Sequence, residues 1–211
     1  MTNLNQSQFN QIARNYDNNE RIKLAKTISS ELNLLFNKGT YDSLLDYGGG
    51  TGLVTFDIEH HFNHITVLDA SPKMVGICNT KIKTLNKTNI AAIEGDLLAS
   101  NDILLHQTYD VILLSLVLLH SGNYMALLQQ LVTQLNSNGL LIIVDFDKNE
   151  NVNHPNIYNG FEQKDIQKSL HTIGLSNIDS HTFYQGKNIF MNKDASLFLA
   201  SGQLTLSPQN V

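Results

Sequence analysis

The sequence predicts an α/β fold built on a doubly wound, mostly parallel sheet, and three observations predict it. From Tyr41 to Asp147, apolar runs of strand length alternate with segments of helical period, an order that implies parallel pairing through right-handed crossovers. Two runs, Val111-Ile112-Leu113-Leu114 and Leu140-Leu141-Ile142-Ile143-Val144, are apolar at every position, as strands covered on both faces require. After Leu44-Leu45-Asp46-Tyr47, glycines stand at positions 48, 49, 50 and 52, which is the strand–turn–helix form of a nucleotide-type ligand site.

The elements follow in order. Residues 1–17 are polar and expected to be partly mobile. Asn18-Asn19-Glu20 reads as a helix start, Ile22, Ala25, Ile28, Leu32 and Leu35 supply its apolar stripe, and Gly39 ends it. Strands are expected near 42–47, 64–69, 89–95, 109–115 and 139–146. Helices are expected near 51–61, 72–84 and 122–136, with a weak one around 99–106. The 122–136 helix would bury Met125, Leu128, Val132 and Leu135. Beyond Asp147 a polar loop leads to a helix at 162–173 through Ile166, Leu170 and Ile173. Two strand-like runs, 177–184 and 195–201, bring the strands to about seven.

At 211 residues and 42% hydrophobic content, the chain can bury one substantial core. We read residues 1–211 as a single domain: an N-terminal lid and helix (1–38), a ligand-binding core (40–147) and a C-terminal helix and hairpin on the substrate side (148–211). The formal charge is −5, and Arg14 and Arg21 are the only arginines. No basic face is visible, which argues against a nucleic-acid substrate. The single cysteine, Cys78, allows no intrachain disulfide and no cysteine-based metal site. The N-terminus lacks the apolar core of a signal peptide, and no apolar run nears the roughly 20 residues that span a bilayer. A cytoplasmic protein with no membrane partner is expected.

Glycine at the loop permits positive φ and lets backbone N–H groups approach a ligand. Asp69 ends the next apolar run, 17 residues beyond Gly52, and could accept both hydroxyls of a ribose. That feature fits a dinucleotide and S-adenosyl-L-methionine alike. Asp46 separates them, because a carboxylate directly before the loop repels a pyrophosphate but suits an ammonium and a sulfonium. The glycine spacing agrees, since no register gives Gly-x-Gly-x-x-Gly. A plainer role stays open for each acid, because Asp46 and Asp69 could cap the helices that follow them.

Four stretches in register resemble the class I S-adenosylmethionine-dependent methyltransferases, of the small-molecule type. They are Asp46-x-Gly48-x-Gly50-x-Gly52, Leu68-Asp69-Ala70-Ser71-Pro72-Lys73-Met74, Glu94-Gly95-Asp96-Leu97, and Tyr109-Asp110-Val111-Ile112-Leu113 leading to Leu119-His120. The likeness covers about residues 40–147 and continues more weakly to the C-terminus. It implies a Rossmann-like sheet with one antiparallel strand near the C-terminus. It also implies S-adenosyl-L-methionine as cofactor, with S-adenosyl-L-homocysteine as product. The cofactor would be held by Tyr16, Asp46, Gly48, Gly49, Gly50, Asp69, Ala70, Met74, Gly95, Asp96, Leu97 and Ser115. In the family, the acid matching Asp96 accepts from the adenine amino group and the residue matching Met74 packs against adenine. Asp96 could instead cap a short helix, and Met74 could be a core residue. Arg14-Asn15-Tyr16-Asp17 resembles a segment that folds over the cofactor, against the plain alternative of a helix-entry loop.

Methyl transfer from a sulfonium is an in-line displacement, so alignment in a dry pocket can supply on the order of 7–11 kcal/mol. A general base matters only where the acceptor must lose a proton. His120, in the loop after the fourth strand, is the candidate catalytic base or acceptor-orienting residue. His154, Tyr158 and Phe161, in the loop after the fifth strand, are candidates for the acceptor pocket. No Asn/Asp-Pro-Pro-Tyr or Pro-Cys element is present, which argues against chemistry on nucleic-acid bases. Asp145, Asp147 and Asn149 lack a matching acid after the fourth strand, and His60-His61-x-x-His64 reads as an exposed helix end, so no metal is expected. The main expectation is methylation of a small-molecule acceptor. The alternatives are an RNA or protein methyltransferase and a cofactor-binding module without catalysis; the oligomeric state is left open.

Overall fold

A computed structural model describes residues 3–99 and 107–205. Its elements in chain order are α1 (Asn3–Ile12), α2 (Asn19–Phe36), β1 (Ser43–Tyr47), α3 (Thr55–Ile58), β2 (His64–Asp69), α4 (Pro72–Thr84), β3 (Ile90–Glu94), β4 (Tyr109–Ser115), α5 (Tyr124–Val132), β5 (Leu135–Phe146), α6 (Gln163–Thr172), β6 (Ser176–Phe190) and β7 (Lys193–Gln203). The strands form one sheet in the order β3-β2-β1-β4-β5-β7-β6. Pairing is parallel from β3 through β5, and β7 runs antiparallel to both β5 and β6. This is the expected doubly wound sheet with one antiparallel strand. Strand order reverses between β1 and β4, so the loops leaving their carboxyl ends diverge and open a crevice.

Val111–Leu114 of β4 and Leu141–Val144 of β5 are fully buried at the sheet centre, with Leu140 half-buried at the start of its run. On one face α2 is capped by Asn18, whose side chain accepts from Arg21 N at 3.0 Å. It buries Ala25, Ile28, Leu32 and Phe36, while Ile22 and Leu35 stay half-buried. Among the described residues no helix is long and apolar enough to cross a membrane.

Four local expectations shift. The polar N-terminus is folded, because α1 docks on the loop after β2: Gln6 Nε2 donates to the Ala70 carbonyl at 2.6 Å, and Ser71 Oγ donates to Asn10 Oδ1 at 2.7 Å. The helix expected at 51–61 shrinks to the single turn α3 and a 3₁₀ turn at Glu59–His61, since Phe62 must turn extended to bury its ring 5.1 Å from Phe36. In α5 the buried residues are Leu127, Leu128 and Leu131, and Leu135 already belongs to β5, which starts early by pairing with Tyr109. The closing strands are longer than expected and meet in a tight hairpin. The weak helix near 99–106 falls almost wholly outside the described residues.

Phe36 joins α2 to the sheet through edge-on contacts with Tyr41 and Phe62. Phe36→Ala should cost about 3–5 kcal/mol in urea unfolding; a loss below about 1 kcal/mol would show that α2 does not depend on this ring.

Candidate active site

The crevice begins at Asp46, the penultimate residue of β1. Its carboxylate is 1% exposed; one oxygen accepts from the Thr55 hydroxyl, and Oδ1 has no hydrogen-bond partner among the described residues. Burial raises its pKa to about 6, against the lowering effect of the Thr55 bond. The chain then turns through Gly48 at φ +75°. A Cβ there would lie 2.4 Å from Val117 Cγ2, so only glycine lets the loops from β1 and β4 meet. Gly50, at φ +59°, donates its N–H to Asp69 Oδ2 at 2.9 Å.

Asp69 ends β2 and is 5% exposed. Its other oxygen accepts from Ser71 N at 2.7 Å. The cap of α4 is Ser71, whose Oγ accepts from Met74 N at 3.2 Å, so the capping role left open for Asp69 falls to its neighbour. Burial raises the Asp69 pKa, and the two backbone bonds pull against it. Asp96 accepts from the Tyr47 hydroxyl at 2.8 Å and from Leu98 N at 3.0 Å, a local turn that fixes the chain after β3.

Two adjoining cavities fill the crevice, of about 370 and 30 Å³. Phe9, Tyr16, Gly48, Ser115, Leu116 and His120 line both. The smaller reaches Gly50, Asp69 and Met74. The larger takes in Asp46, Gly49 and Arg21, then opens between α1, α2 and the tip of the β6–β7 hairpin. The structure therefore gathers nine of the sequence candidates: Tyr16, Asp46, Gly48, Gly49, Gly50, Asp69, Met74, Ser115 and His120.

The other candidates stand outside these walls. The Ala70 carbonyl is taken by Gln6, Gly95 N donates to the Asp69 carbonyl at 3.0 Å, and Leu97 is core. Tyr158 donates its hydroxyl to the Gly122 carbonyl at 2.7 Å and its N–H to the Leu119 carbonyl at 3.0 Å. Phe161 is buried against Tyr124 and Tyr158, with centroids 5.5 and 5.3 Å away. His154 acts on His120 electrostatically, and its Nδ1 accepts from Asn156 N at 3.2 Å. Tyr158 and Phe161 thus brace the wall from behind, and it is Ile157 that reaches the cavity.

His120 lies at the end of a 3₁₀ turn, Leu118–His120, with Phe9 edge-on at 5.1 Å. Burial, reinforced by His154, lowers its pKa to about 4, so the ring is neutral near pH 7. Asp145 holds the turn. It is fully buried and accepts from Leu119 N at 3.2 Å and from Phe146 N at 2.8 Å.

Sequence reasoning placed Tyr16 at the site but missed Arg21 and the contacts that fix the N-terminal segment. Arg21 stacks its guanidinium 4.3 Å from the Tyr16 ring centroid and donates to the Tyr16 carbonyl at 3.3 Å. Asp17 accepts from Thr51 Oγ1 at 2.5 Å and pairs with Lys81 Nζ at 2.7 Å, which latches this segment onto the glycine loop and α4. The signal available was Arg21 itself, one of two arginines, at the first turn of a helix beside the Tyr16-Asp17 pair.

Comparison with known proteins then settles the lineage. The sequence pattern of a family described as a methyltransferase domain matches residues 39–193. The chain belongs to that family. The class I methyltransferase resemblance therefore holds for both family and fold. Among characterised proteins, the chain is similar to the malonyl-(acyl-carrier protein) O-methyltransferase of Bacillus anthracis, 27% identical over 167 residues, covering 77% of this chain and 60% of that protein. The Bacillus cereus enzyme of the same name is 29% identical over 146 residues, covering 67% of this chain and 52% of that protein. The chain thus spans little more than half the length of these relatives. Among solved structures, the N-methyltransferase NodS of Bradyrhizobium japonicum, in complex with S-adenosyl-L-homocysteine, superposes with a TM-score of 0.70 at 18% identity, covering 90% of each chain. The DhpI complex with S-adenosyl-L-homocysteine gives 0.70 at 15% identity and 96% of each chain. At these identities the likeness is one of fold.

The methyltransferase-domain crevice fits S-adenosyl-L-methionine by its donor set. The orphaned Asp46 oxygen suits a cationic amino group, Asp69 retains acceptor capacity for hydroxyls, and Arg21 has no carboxylate partner among the described residues.

Asp46 makes folding pH-dependent. Its folded pKa of about 6 lies above the ordinary 3.8, so its stabilising effect is full below about pH 4 and is lost as pH rises through about 6. The loss is on the order of 3 kcal/mol. Urea unfolding of wild type against Asp46→Asn should show the difference shifting in favour of the variant across that window; parallel pH profiles would mean that Asp46 is not desolvated.

Proposed function

We propose that the chain transfers a methyl group from S-adenosyl-L-methionine to a small-molecule acceptor, releasing S-adenosyl-L-homocysteine. The observation that carries this reading is the pair of opposite charges, Asp46 and Arg21, on the walls of one cavity beside Gly48 and Gly49. A zwitterionic amino-acid group needs both signs, whereas a pyrophosphate would meet the Asp46 carboxylate head-on. When bound, the cofactor supplies an electrophilic methyl on a sulfonium, with a neutral thioether as leaving group.

The chain's own residues do the rest. Asp69 would accept the ribose hydroxyls, and Met74 would offer an apolar face to the base. Ser115, Tyr16 and His120 line both cavities, which supports a place for them at the reacting end. Neutral His120 could take a proton from the acceptor, or orient it. The apolar walls and the α1 cover exclude water, which favours alignment over solvation of the nucleophile. A cavity of about 370 Å³ and a net charge of −5 favour a small acceptor over RNA. The Bacillus relatives, by name, methylate a malonyl group on a carrier protein. A carrier-borne acid is accordingly the second reading, with Arg21 as the cation it would need.

Isothermal titration with S-adenosyl-L-methionine and S-adenosyl-L-homocysteine tests the assignment. Both should bind, and Asp69→Ala should weaken each by about 10- to 100-fold through lost charge-assisted bonds. His120→Ala should leave cofactor affinity within about twofold while lowering kcat by about 10²- to 10⁴-fold where a proton is transferred. No heat of binding by folded protein would refute the reading.

A further inference from the structure

Among the described residues, seven besides glycine take positive φ, and five of them are asparagine, whose short polar side chain tolerates that conformation. The other two are Leu116, at φ 56°, and Met191, at φ 50°. Both line the larger cavity. An apolar side chain in this conformation crowds its Cβ against the following carbonyl and has no polar atom with which to offset the cost. Leu116 packs against the core as well as the cavity. Met191 does not have that explanation, being 47% exposed. The pairing of Phe190 with Lys193 leaves Met191 and Asn192 as a two-residue hairpin loop. Positive φ at both, 50° and 60°, makes it the type I′ turn, whose first position favours Asn, Asp or Gly. Methionine stands there instead.

The strand register places this turn at the crevice. Phe146, the last residue of β5, pairs with Leu197, so residues 191–196 project past the carboxyl edge of the sheet. Phe190 stacks on Phe146 with centroids 4.2 Å apart, and Asn188 N donates to Asp194 Oδ1 at 3.0 Å, which fixes the tip. In the sheet, β4 and β5 stand between β1 and β7, a separation of about 14 Å at ordinary strand spacing. The hairpin therefore meets the cavity from across the sheet, opposite the strands that carry Asp46 and Asp69.

Resting on the methyltransferase reading, we infer that Met191 is a specificity-determining residue whose side chain holds a hydrocarbon portion of the methyl acceptor, alkyl or aryl, against the hairpin tip. Neither turn preference nor core packing accounts for a methionine at this place, and a residue kept against backbone preference beside a cavity has its reason in the ligand. The thioether chain is unbranched and flexible, so it fits apolar surfaces of varied shape. Covering it with an apolar group recovers the free energy that the turn forgoes. The cofactor would be held from the β1 and β2 side by Asp46, Asp69 and Met74, which leaves Met191 to the acceptor. A wholly polar acceptor would gain nothing from this side chain.

The four methionines, Met1, Met74, Met125 and Met191, supply the readout. In the full chain labelled at the methionine methyl groups, Met191→Leu assigns the Met191 NMR signal by its loss. S-adenosyl-L-homocysteine should shift the Met74 methyl. Fluorobenzene, added to that saturated complex as an uncharged apolar probe, should then shift the Met191 methyl in a saturable way. No saturable Met191 response to fluorobenzene, or a Met191 shift that S-adenosyl-L-homocysteine alone completes, would overturn the inference. Met191→Asn should raise the urea midpoint, because the turn gains a residue it favours, and should weaken fluorobenzene about fivefold or more. Met191→Leu keeps an apolar side chain and should hold fluorobenzene affinity within about twofold of wild type. Neither variant should change S-adenosyl-L-homocysteine affinity. Fluorobenzene binding unchanged by Met191→Asn, or a lowered urea midpoint in that variant, would return Met191 to a plain turn residue. Failure of S-adenosyl-L-homocysteine to bind at all would strike the underlying reading, a result separate from these.

Discussion

A carboxylate buried without a full set of partners is the constraint on which the crevice depends. Asp46 is held at the end of β1, where strand order reverses, and the surrounding sheet admits no solvent to it. Thr55 satisfies one oxygen, and the other faces the space between the diverging loops. Burial raises the group's pKa because nothing in the described protein neutralises it. Stability alone would favour an apolar residue at this place. The acid makes sense as half of an interaction whose cationic half is a ligand.

The N-terminal segment supplies the complementary charge and the cover. Asp17 reaches the glycine loop through Thr51 and α4 through Lys81, and α1 lies along the Ala70–Ser71 loop. Tyr16 is thereby set against the Arg21 guanidinium on the cavity wall, its hydroxyl kept protonated by burial and by the nearby Asp69 and Asp17 carboxylates, with Arg21 opposing. These contacts lie on the cofactor side. Tyr16 in this segment and Arg21 at the head of α2 both line the cavity, so the contacts that fix the segment also place two of the cavity's polar groups.

The sheet and the glycine loop were legible because their signals are local. Strand runs such as Val111–Leu114 are apolar whatever lies around them, and a turn that must bring Gly48 against Val117 excludes every residue with a Cβ. The helix after the loop was overestimated because its length is set by Phe62 reaching Phe36, a contact across the fold. The α5 stripe was misplaced for a similar reason: Leu135 leaves the helix to pair with Tyr109. In the site, Asp69 could be read as helix cap or ligand acid until Ser71 proved to be the cap. Tyr158 and Phe161 sit close in sequence to the pocket yet turn behind its wall, while Ile157 turns toward it. A one-residue difference in facing is invisible in a loop, which has no period.

The apolar lining of the cavity resists sequence reading for a deeper reason. The cofactor end is made of backbone and charge near the ends of three neighbouring strands, so its parts recur at fixed offsets from strand termini. The rest of the cavity is assembled from α1, α2, the loop after β5 and a hairpin tip some 30 residues further on, each contributing between one and three apolar side chains. Apolar residues carry no signature that separates a pocket wall from core, and Phe190 stacked on Phe146 is both.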